Sequence, residues 1–269
     1  MARRLLLRLV LCCVAAASGG CVGGFALNGR ASDEWTRTYQ LSPGGEIQVG
    51  NTNGRIDIEG IDGNTVEIHA ERIAKATTDG AAQELLPRIK IEEEARPDRI
   101  EVHTARISGI MVGASIEVRY RVRAPKTAKI HVTNTNGLIR LDGLAGPVEA
   151  HTTNGGVRGY DLSGRVEAST TNGGVAIDLA SVTDEVRLST TNGGVTVGLP
   201  DAAKANIVAT CTNGGISVNG VKMEISEQSR RRVEGTMNGG GVSVELKTTN
   251  GGVRIRKKGE MDRLDRRES

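Results

Sequence analysis

The sequence is short of aromatic side chains and rich in glycine. Of its 269 residues, five are Phe, Trp or Tyr and 36 are Gly. A core of this composition cannot rest on large aromatic rings. We therefore expect a core of Val, Ile, Leu, Ala and Thr side chains packed in a regular lattice.

Cysteine is also scarce, and its distribution excludes disulfide stapling of the folded part. Cys12, Cys13 and Cys21 lie within the first 21 residues, which leaves Cys211 as the only cysteine in the rest of the sequence. A single thiol cannot form an internal disulfide.

Charge of one sign is not concentrated enough to indicate a nucleic-acid partner. The formal charge is +3, and the basic residues are dispersed apart from the 230–232 run and the end of the chain. Single-stranded nucleic acid is usually held by aromatic platforms beside a basic groove, and those platforms are missing. The sequence therefore predicts no nucleic-acid binding, no small-molecule substrate and no cofactor.

The first 21 residues are typical of an export signal. A basic start is followed by a short apolar stretch and then by small residues, and the stretch is too short for a stable membrane anchor. Ser18-Gly19-Gly20-Cys21 resembles a bacterial lipobox, in which the cysteine is diacylated. The alternative is ordinary cleavage near Ala15–Ala17. Residues 22–32 are rich in Gly, Ala and Asn, which predicts a flexible tether.

A repeated Thr-Asn-Gly tripeptide organises the remainder of the chain. From Asn136 onward, successive copies, counting the variant Met237-Asn238-Gly239, lie 18, 18, 20, 21, 25 and 12 residues apart. In the clearest copy, residues 166–179, apolar residues alternate on either side of the tripeptide, which predicts a strand, a corner and a second strand. The seven corner pairs are Asn53-Gly54, Asn136-Gly137, Asn154-Gly155, Asn172-Gly173, Asn192-Gly193, Asn213-Gly214 and Asn250-Gly251.

Asn-Gly is also a strong hairpin signal, so a stack of hairpins is the competing fold. The near-constant period and the small size of each copy favour a solenoid, because one copy cannot bury its own apolar face. The short interval between Asn238 and Asn250 predicts a terminal hairpin that closes the stack. We therefore predict an all-β solenoid, similar to a single-stranded β-helix, with rungs over 129–258 and a charged tail over 259–269.

The corner residues have predicted structural roles. The first glycine is expected to need a positive φ, whereas the second is replaced by Arg55 and Leu138 and is dispensable. Stacked corner asparagines are expected to bond to one another from rung to rung. Cys211 falls in an inward slot that other copies fill with Thr, where a thiol acts as a small buried hydrophobe.

Residues 33–128 predict a mixed cap with longer strands and one short helix. The helix is expected over 78–86, capped by Asp79 and stopped by Pro87. The strands are expected at 35–41, 46–49, 55–58, 65–73, 89–94, 99–104 and 115–123.

This order of a lone helix, paired strands, the entry Ala124-Pro125 and repeated Thr-Asn-Gly rungs resembles the bacterial putative-adhesin family, also called the Toastrack domain, over about residues 33–258. The resemblance implies a β-helical extracytoplasmic domain without known catalytic residues. It also implies a role in adhesion or as a scaffold of envelope-stress systems. Together with Cys21, it predicts an exported, lipid-anchored or periplasmic protein that binds a protein or a surface glycan.

A carbohydrate-active enzyme on the same fold is the alternative function. It would need clustered acids, and Asp57, Asp161, Asp178 and Asp184 occupy different places in the repeat, which indicates solvated positions. A metal site is not predicted either. His131 and His151 are expected about 7 to 8 Å apart as diagonal neighbours, without a carboxylate or cysteine to complete a ligand set.

Threonines that point outward from the rungs form the candidate contact face. If Thr170 points inward, its neighbours on either side point to solvent. A Thr lattice also occurs in ice-binding solenoids, although strand propensity alone explains many threonines. The predicted contact residues are Thr135, Thr153, Thr171, Thr191 and Thr212.

The lipobox-like segment generates a direct test of tethering. We expect Cys21→Ser to move the protein from the membrane fraction to the soluble exported fraction, because acyl chains supply most of the anchoring free energy. Fractionation measures the membrane association of the wild type and the variant, and their intact masses show whether the lipid is attached. Unchanged membrane association in Cys21→Ser contradicts lipidation at this position.

Overall fold

The chain folds as a β-solenoid of two facing sheets. The structure, a computed structural model, describes residues 27–105 and 113–259. Within those residues, one α-helix, α1 (Asp79–Leu85), is followed by a 3-10 turn (Leu86–Arg88), and the rest of the regular structure is strand. The strands are β1 (Gly29–Gln40), β2 (Glu46–Asn53), β3 (Ile56–Ile61), β4 (Thr65–Ala76), β5 (Ile91–Arg96), β6 (Arg99–Thr104), β7 (Ala114–Pro125), β8 (Lys129–Asn136), β9 (Ile139–Asp142), β10 (Val148–Asn154), β11 (Val157–Leu162), β12 (Val166–Asn172), β13 (Val175–Leu179), β14 (Val186–Asn192), β15 (Val195–Leu199), β16 (Ala205–Asn213), β17 (Ile216–Asn219), β18 (Glu224–Gln228), β19 (Arg232–Met237), β20 (Val242–Asn250) and β21 (Val253–Lys257).

Each rung contributes one strand to each sheet, with the Asn-Gly corner between them. Sheet A has the order β1-β4-β7-β3-β9-β11-β13-β15-β21-β17, and sheet B has the order β18-β19-β16-β20-β14-β12-β10-β8-β2-β6-β5. The rungs pair in parallel, so that equivalent residues of successive copies lie side by side. The predicted solenoid is confirmed.

The core lies between the sheets and follows from the period-two alternation. In the rung of residues 166–179, Val166, Ala168, Val175 and Ile177 are almost fully buried. Neighbouring rungs bury the equivalent side chains in the same way. Because each buried aliphatic side chain contributes about 1.5–3 kcal/mol relative to exposure, stacking supplies the stability that a single rung lacks.

The corner glycines are held in place by contact between backbones. Gly173 has φ +151°, and a Cβ added there would lie 1.9 Å from the carbonyl oxygen of Gly155 in the adjacent rung. A Cβ at Gly174 would lie 3.4 Å from Gly194 O, which is an ordinary contact. The geometry of this corner agrees with the prediction that only the first glycine is obligatory. At Gly214 the predicted positive φ is wrong, yet a Cβ there would still lie 1.8 Å from an oxygen of the next rung.

The order of the last rungs differs from the order along the chain. The strand β20 pairs in parallel with β14 on one side and with β16 on the other, so the final rung in sequence is inserted before the end of the stack. The hairpin predicted between Asn238 and Asn250 is therefore wrong. A hairpin does close this end of sheet B, but it is formed by β18 and β19, and β19 pairs antiparallel with β16.

The N-terminal cap contains the predicted strands, with two corrections. Residues 29–32, expected to be part of a flexible tether, belong to β1 and pair with β4. The helix is capped by Thr78, whose Oγ1 accepts a hydrogen bond from Ala81 N, and not by Asp79. At the edge of the cap, Arg37 and Tyr39 of β1 bond to Glu93 of β5 and so connect the two sheets.

The two residues that follow β21, Lys258 and Gly259, cover a buried aspartate of sheet A. Asp178 is only 4% exposed, so its predicted solvated position is wrong. Its Oδ2 accepts a hydrogen bond from Gly259 N at 3.2 Å, and Lys258 N donates to Leu199 O at 2.9 Å. Gly198 leaves the room for the carboxyl group, because a Cβ there would lie 1.8 Å from Asp178 Oδ1. Burial raises the pKa of Asp178.

The corner contact predicts a sharp difference between two neighbouring glycines. Gly173→Ala should lower the free energy of unfolding by about 3 kcal/mol or more, because its Cβ meets a backbone oxygen that cannot move without shifting a whole rung. Gly174→Ala is the matched control and should cost less than about 1 kcal/mol. Urea unfolding followed by circular dichroism measures both, and equal losses would contradict the corner geometry.

Candidate binding surface

The outer face of sheet B carries a continuous rank of threonines along one edge. The five predicted contact residues are all exposed, and the strand register places them side by side. Thr52 extends the rank at one end, and Thr249 lies within it between Thr191 and Thr212. Neither was predicted, although each precedes the Asn of a Thr-Asn-Gly tripeptide and could have been found on that signal. In spatial order the rank is Thr52, Thr135, Thr153, Thr171, Thr191, Thr249 and Thr212.

The corner asparagines form a ladder directly beside the threonine rank. Asn154 Nδ2 donates to Asn136 Oδ1 at 2.8 Å, and Asn172 Nδ2 donates to Asn154 Oδ1 at 2.9 Å. The predicted rung-to-rung bonding is confirmed, and it runs in spatial order, with Asn250 between Asn192 and Asn213. Together the rank and the ladder are the Thr-Asn face. The ladder members are Asn53, Asn136, Asn154, Asn172, Asn192, Asn250 and Asn213.

The ladder bonds do not exhaust the capacity of these side chains. An amide group has two N–H donors and two acceptor lone pairs. A member inside the ladder uses one donor and one lone pair on its neighbours. Each rung therefore presents a spare amide donor, a spare acceptor and a threonine hydroxyl at the regular spacing of parallel strands, about 4.8 Å.

An inward hydroxyl slot fixes the backbone beneath this face. Thr170 Oγ1 donates to Gly155 O at 2.8 Å, and Thr190 Oγ1 donates to Gly173 O at 2.9 Å. These bonds satisfy corner carbonyl groups that the stack would otherwise leave unpaired. Cys211 occupies the same slot in the last rung and is buried, as predicted. Cys21 lies outside the described residues.

A chain of polar contacts crosses the same sheet farther from the corner. Glu149 Oε2 lies 3.2 Å from His131 Nδ1, and Glu149 Oε1 lies 2.9 Å from His151 Nε2. His151 Nδ1 lies 2.6 Å from Ser169 Oγ. The two imidazole centroids are 6.3 Å apart, and Glu149 bridges the two rings. The hydrogen bonds from His151 and His131 lower the pKa of Glu149.

These polar contacts are not arranged as a metal site or as the surroundings of a nucleophilic serine. Within residues 27–105 and 113–259, no group of three or more His, Cys, Asp or Glu side chains is arranged to hold a metal ion. Ser169 lies in the middle of β12, which pairs in parallel with β10 and β14. Its strand neighbours use their backbone N–H groups in the ladder, so those donors cannot stabilise an oxyanion.

Three acids of sheet A, Asp142, Asp161 and Asp178, lie on consecutive strands but have different contacts. Asp161 pairs with Lys258, and Asp178 binds Gly259 N. Asp142 lines a depression of about 270 Å³ together with Asp57 and Glu59, and each of these three carboxyl groups pairs with an arginine. Burial raises the pKa of Asp142. Asp161 and Asp178 thus contact Lys258 and Gly259, and do not line this depression.

The Thr-Asn face contains a depression at its N-terminal end. It has a volume of about 500 Å³ and lies where β2, β6 and β8 adjoin. Its lining includes Thr52, Thr135 and Thr133 together with the Glu92 and His103 pair.

The described part of the chain contains no helix of the length and apolarity needed to cross a membrane.

Comparison with known proteins agrees with this architecture. The family model described as Toastrack DUF4097 matches residues 42–256. A comparison with curated proteins finds no match.

Solved structures with a similar chain trace include three bacterial proteins. A putative cell adhesion protein from Clostridium sporogenes is 13% identical, with 84% of this chain and 100% of that chain covered and a TM-score of 0.42. A putative adhesin from Bacteroides fragilis is 10% identical, with coverage of 83% and 97% and a TM-score of 0.37. A putative lipid binding protein from Parabacteroides distasonis is 10% identical, with coverage of 84% and 97% and a TM-score of 0.30. No functional conclusion follows from similarity at this level.

Proposed function

The chain belongs to the Toastrack DUF4097 family, and from this premise we propose that it is a non-catalytic binding or scaffold module of the cell envelope. In this proposal the domain predicted over 33–258, extended by the start of β1, is exported and held at a membrane by a lipid on Cys21. It contacts a protein or a surface glycan through the Thr-Asn face. The lipobox-like residues before Cys21 and the export signal support the location.

The observation that carries the proposal is the continuity of the Thr-Asn face. Seven rungs present the same hydroxyl and amide groups in register, and the ladder bonds hold the amides in one orientation. A solenoid of this kind offers a long, flat contact area in place of an enclosed pocket. Groups repeated at a fixed spacing suit an extended partner or several weak contacts made at once.

The alternative functions have weaker support. A carbohydrate-active enzyme would need a free acid and base at one cavity. Asp161 pairs with Lys258 and Asp178 accepts from Gly259 N. The three carboxyl groups that do share a depression are each paired with an arginine, and they belong to Asp57, Glu59 and Asp142. An ice-binding lattice would need a second uninterrupted hydroxyl rank. The second outward rank of sheet B includes the hydroxyl residues Thr133, Ser169, Ser189 and Thr210. It is interrupted by His151 and Lys247.

A charge-insertion variant tests the proposed face. Thr153→Lys, Thr171→Lys and Thr191→Lys in one protein should leave the circular dichroism spectrum and the melting temperature nearly unchanged, because exposed substitutions usually cost little. Binding of the labelled protein to envelope preparations, measured by sedimentation in a Cys21→Ser background that lacks the proposed lipid, should fall sharply. The reason is that three bulky cations would separate the face from its partner.

The matched control places the same charge on the other sheet. The control protein carries three lysines on the outer face of sheet A, introduced as Ala176→Lys, Thr196→Lys and Ser217→Lys. Its envelope binding should equal that of the wild type. If the sheet A variant loses binding and the Thr-Asn variant keeps it, the contact face has been assigned to the wrong sheet. If a variant of the cap at Trp35 and Tyr39 alone loses binding, the site lies at the end of the stack.

A further inference from the structure

The two edges of the stack differ in how well they distinguish one rung from another. At the corner edge, the rungs of Asn192, Asn213 and Asn250 present the same Thr, Asn and Gly residues, so each could stack on any other. At the opposite edge, where the strands of sheet A end and those of sheet B begin, the contacts differ from rung to rung. The position of the β20–β21 rung between the other two is therefore specified away from the corners.

The β20–β21 rung takes its place against the order of synthesis. The strands β16 and β17 precede β20 and β21 along the chain, so they are the first to be available for stacking on β14 and β15. In the structure β20 and β21 fill that slot, and β16 and β17 lie outside them. The fold therefore needs contacts that favour the later rung in the slot beside β14 and β15.

A buried polar cluster lies next to this slot on the outer face of sheet A. Asp178 of β13, Gly198 of β15 and Arg256 of β21 are register partners on three adjacent strands. Asp178 is 4% exposed and Arg256 is 8% exposed. Because Gly198 has no side chain, the carboxyl group of Asp178 extends over β15 toward Arg256, and a Cβ at Gly198 would lie 1.8 Å from Asp178 Oδ1.

The residues after β21 complete this cluster. Gly259 N donates to Asp178 Oδ2 at 3.2 Å, and Lys258 Nζ lies 2.5 Å from Asp161 Oδ1. Asp161 reaches Lys258 from a bulge of β11 with φ +52°, a conformation that residues other than glycine seldom adopt. Burial raises the pKa of Asp178, whereas the Gly259 N–H and the charges of Arg256 and Lys258 oppose that rise. The Asp178 cluster consists of Asp161, Asp178, Gly198, Arg256, Lys258 and Gly259.

The β16–β17 rung lacks the groups that complete the cluster. At the register position of Arg256, β17 carries Asn219. The next two residues after Asn219 are uncharged, so neither matches Lys258. With β17 in the slot, Asp178 would lose its counter-charge and its hydrogen bond from Gly259. Removing one partner of a buried charge is strongly unfavourable, so the cluster opposes this order.

Hydrogen bonds of Asn238 hold the same rung at the same edge. The connection between β15 and β16, residues 200–204, spans the inserted rung. In the turn before β20, Asn238 Nδ2 donates to Asp201 O at 2.9 Å and to Ala203 O at 2.7 Å. These bonds attach the start of β20 to the connection that spans it.

We propose that the Asp178 cluster selects the rung order, because it admits β20–β21 to the slot beside β14 and β15 and excludes β16–β17 from it. Buried polar groups often stabilise a fold no more than apolar groups of the same volume, and their best-attested role is to distinguish between registers. Asp178 Oδ1 and Arg256 Nε are buried without hydrogen-bond partners, which agrees with a cluster that contributes specificity more than stability. This inference is independent of the proposed function.

The test exchanges the arginine between the two competing strands. Arg256→Asn together with Asn219→Arg keeps the composition and moves the counter-charge of Asp178 from β21 to β17. We expect this exchange to favour the order in which β17 lies beside β15. The order is read in the full chain after refolding from urea.

Two cysteine pairs report the order by oxidative cross-linking in a Cys211→Thr background, with linked peptides mapped by mass spectrometry. Ser189→Cys with Lys247→Cys joins β14 to β20, and Ser189→Cys with Thr210→Cys joins β14 to β16 only when β16 fills the slot. The exchange should raise the yield of the second link at least about tenfold above the background level of protein with the wild-type cluster.

A matched control exchanges an arginine two residues earlier on the same strands. Arg254→Ser with Ser217→Arg swaps register partners outside the Asp178 cluster and should give the link pattern of the wild type. An equal rise of the second link in this control and in the Arg256 exchange would overturn the proposal, because the cluster would then have no special role. So would an Arg256 exchange that folds, as judged by circular dichroism, and yields only the first link.

A milder variant keeps the test decisive if the arginine exchange prevents folding. Asp178→Asn removes the charge and keeps an oxygen acceptor for Gly259 N, and it should raise the second link by about threefold or more. Unchanged yields of both links in Asp178→Asn would overturn the selection of rung order by this cluster.

Discussion

The close contact between the glycine of one corner and the carbonyl oxygen of the corner before it determines the rest of this fold. In the central rungs the space for a Cβ at the corner is within about 2 Å of that oxygen, so any side chain would force two rungs apart. The contact brings the asparagine amides within bonding distance and places the inward threonine hydroxyls beneath corner carbonyl groups. Side-chain ladders, backbone ladders and the aliphatic core therefore share one register.

The same constraint explains why the candidate contact face is so uniform. Since every rung repeats one backbone geometry, the exposed Thr and Asn side chains repeat as well, and the ladder bonds hold the amides without consuming all their capacity. The face departs from this pattern at its N-terminal end, where Gly50 replaces a side chain and Asn51 and Asn134 replace the slot threonines. Those departures coincide with the depression that Gly50, Thr52 and Thr133 line.

Much of the architecture could be predicted from the sequence because its signals are local. The Thr-Asn-Gly corners, the alternation of apolar residues and the strands of the cap all follow from short-range patterns. The rung order could not be predicted, because identical tripeptides at 192, 213 and 250 carry no information on which pair is adjacent. The burial of Asp178 also depends on Gly259, 81 residues away along the chain. At the candidate site, outward threonines were predicted, whereas the Gly50 gap and the Glu149 link between histidines depend on neighbours from other rungs.

The central claim is that the rungs form one lattice in the order of the asparagine ladder, with the rung of Asn250 between those of Asn192 and Asn213. The most direct measurement is oxidative cross-linking of paired cysteines in protein that carries Cys211→Thr, with linked peptides mapped by mass spectrometry. Ser189→Cys with Lys247→Cys joins residues that are register partners, within the usual Cα range of a disulfide, about 4.4–6.8 Å. Ser189→Cys with Thr210→Cys joins residues two strands apart. The account predicts a cross-link in the first pair and none in the second, and the reverse result would contradict it.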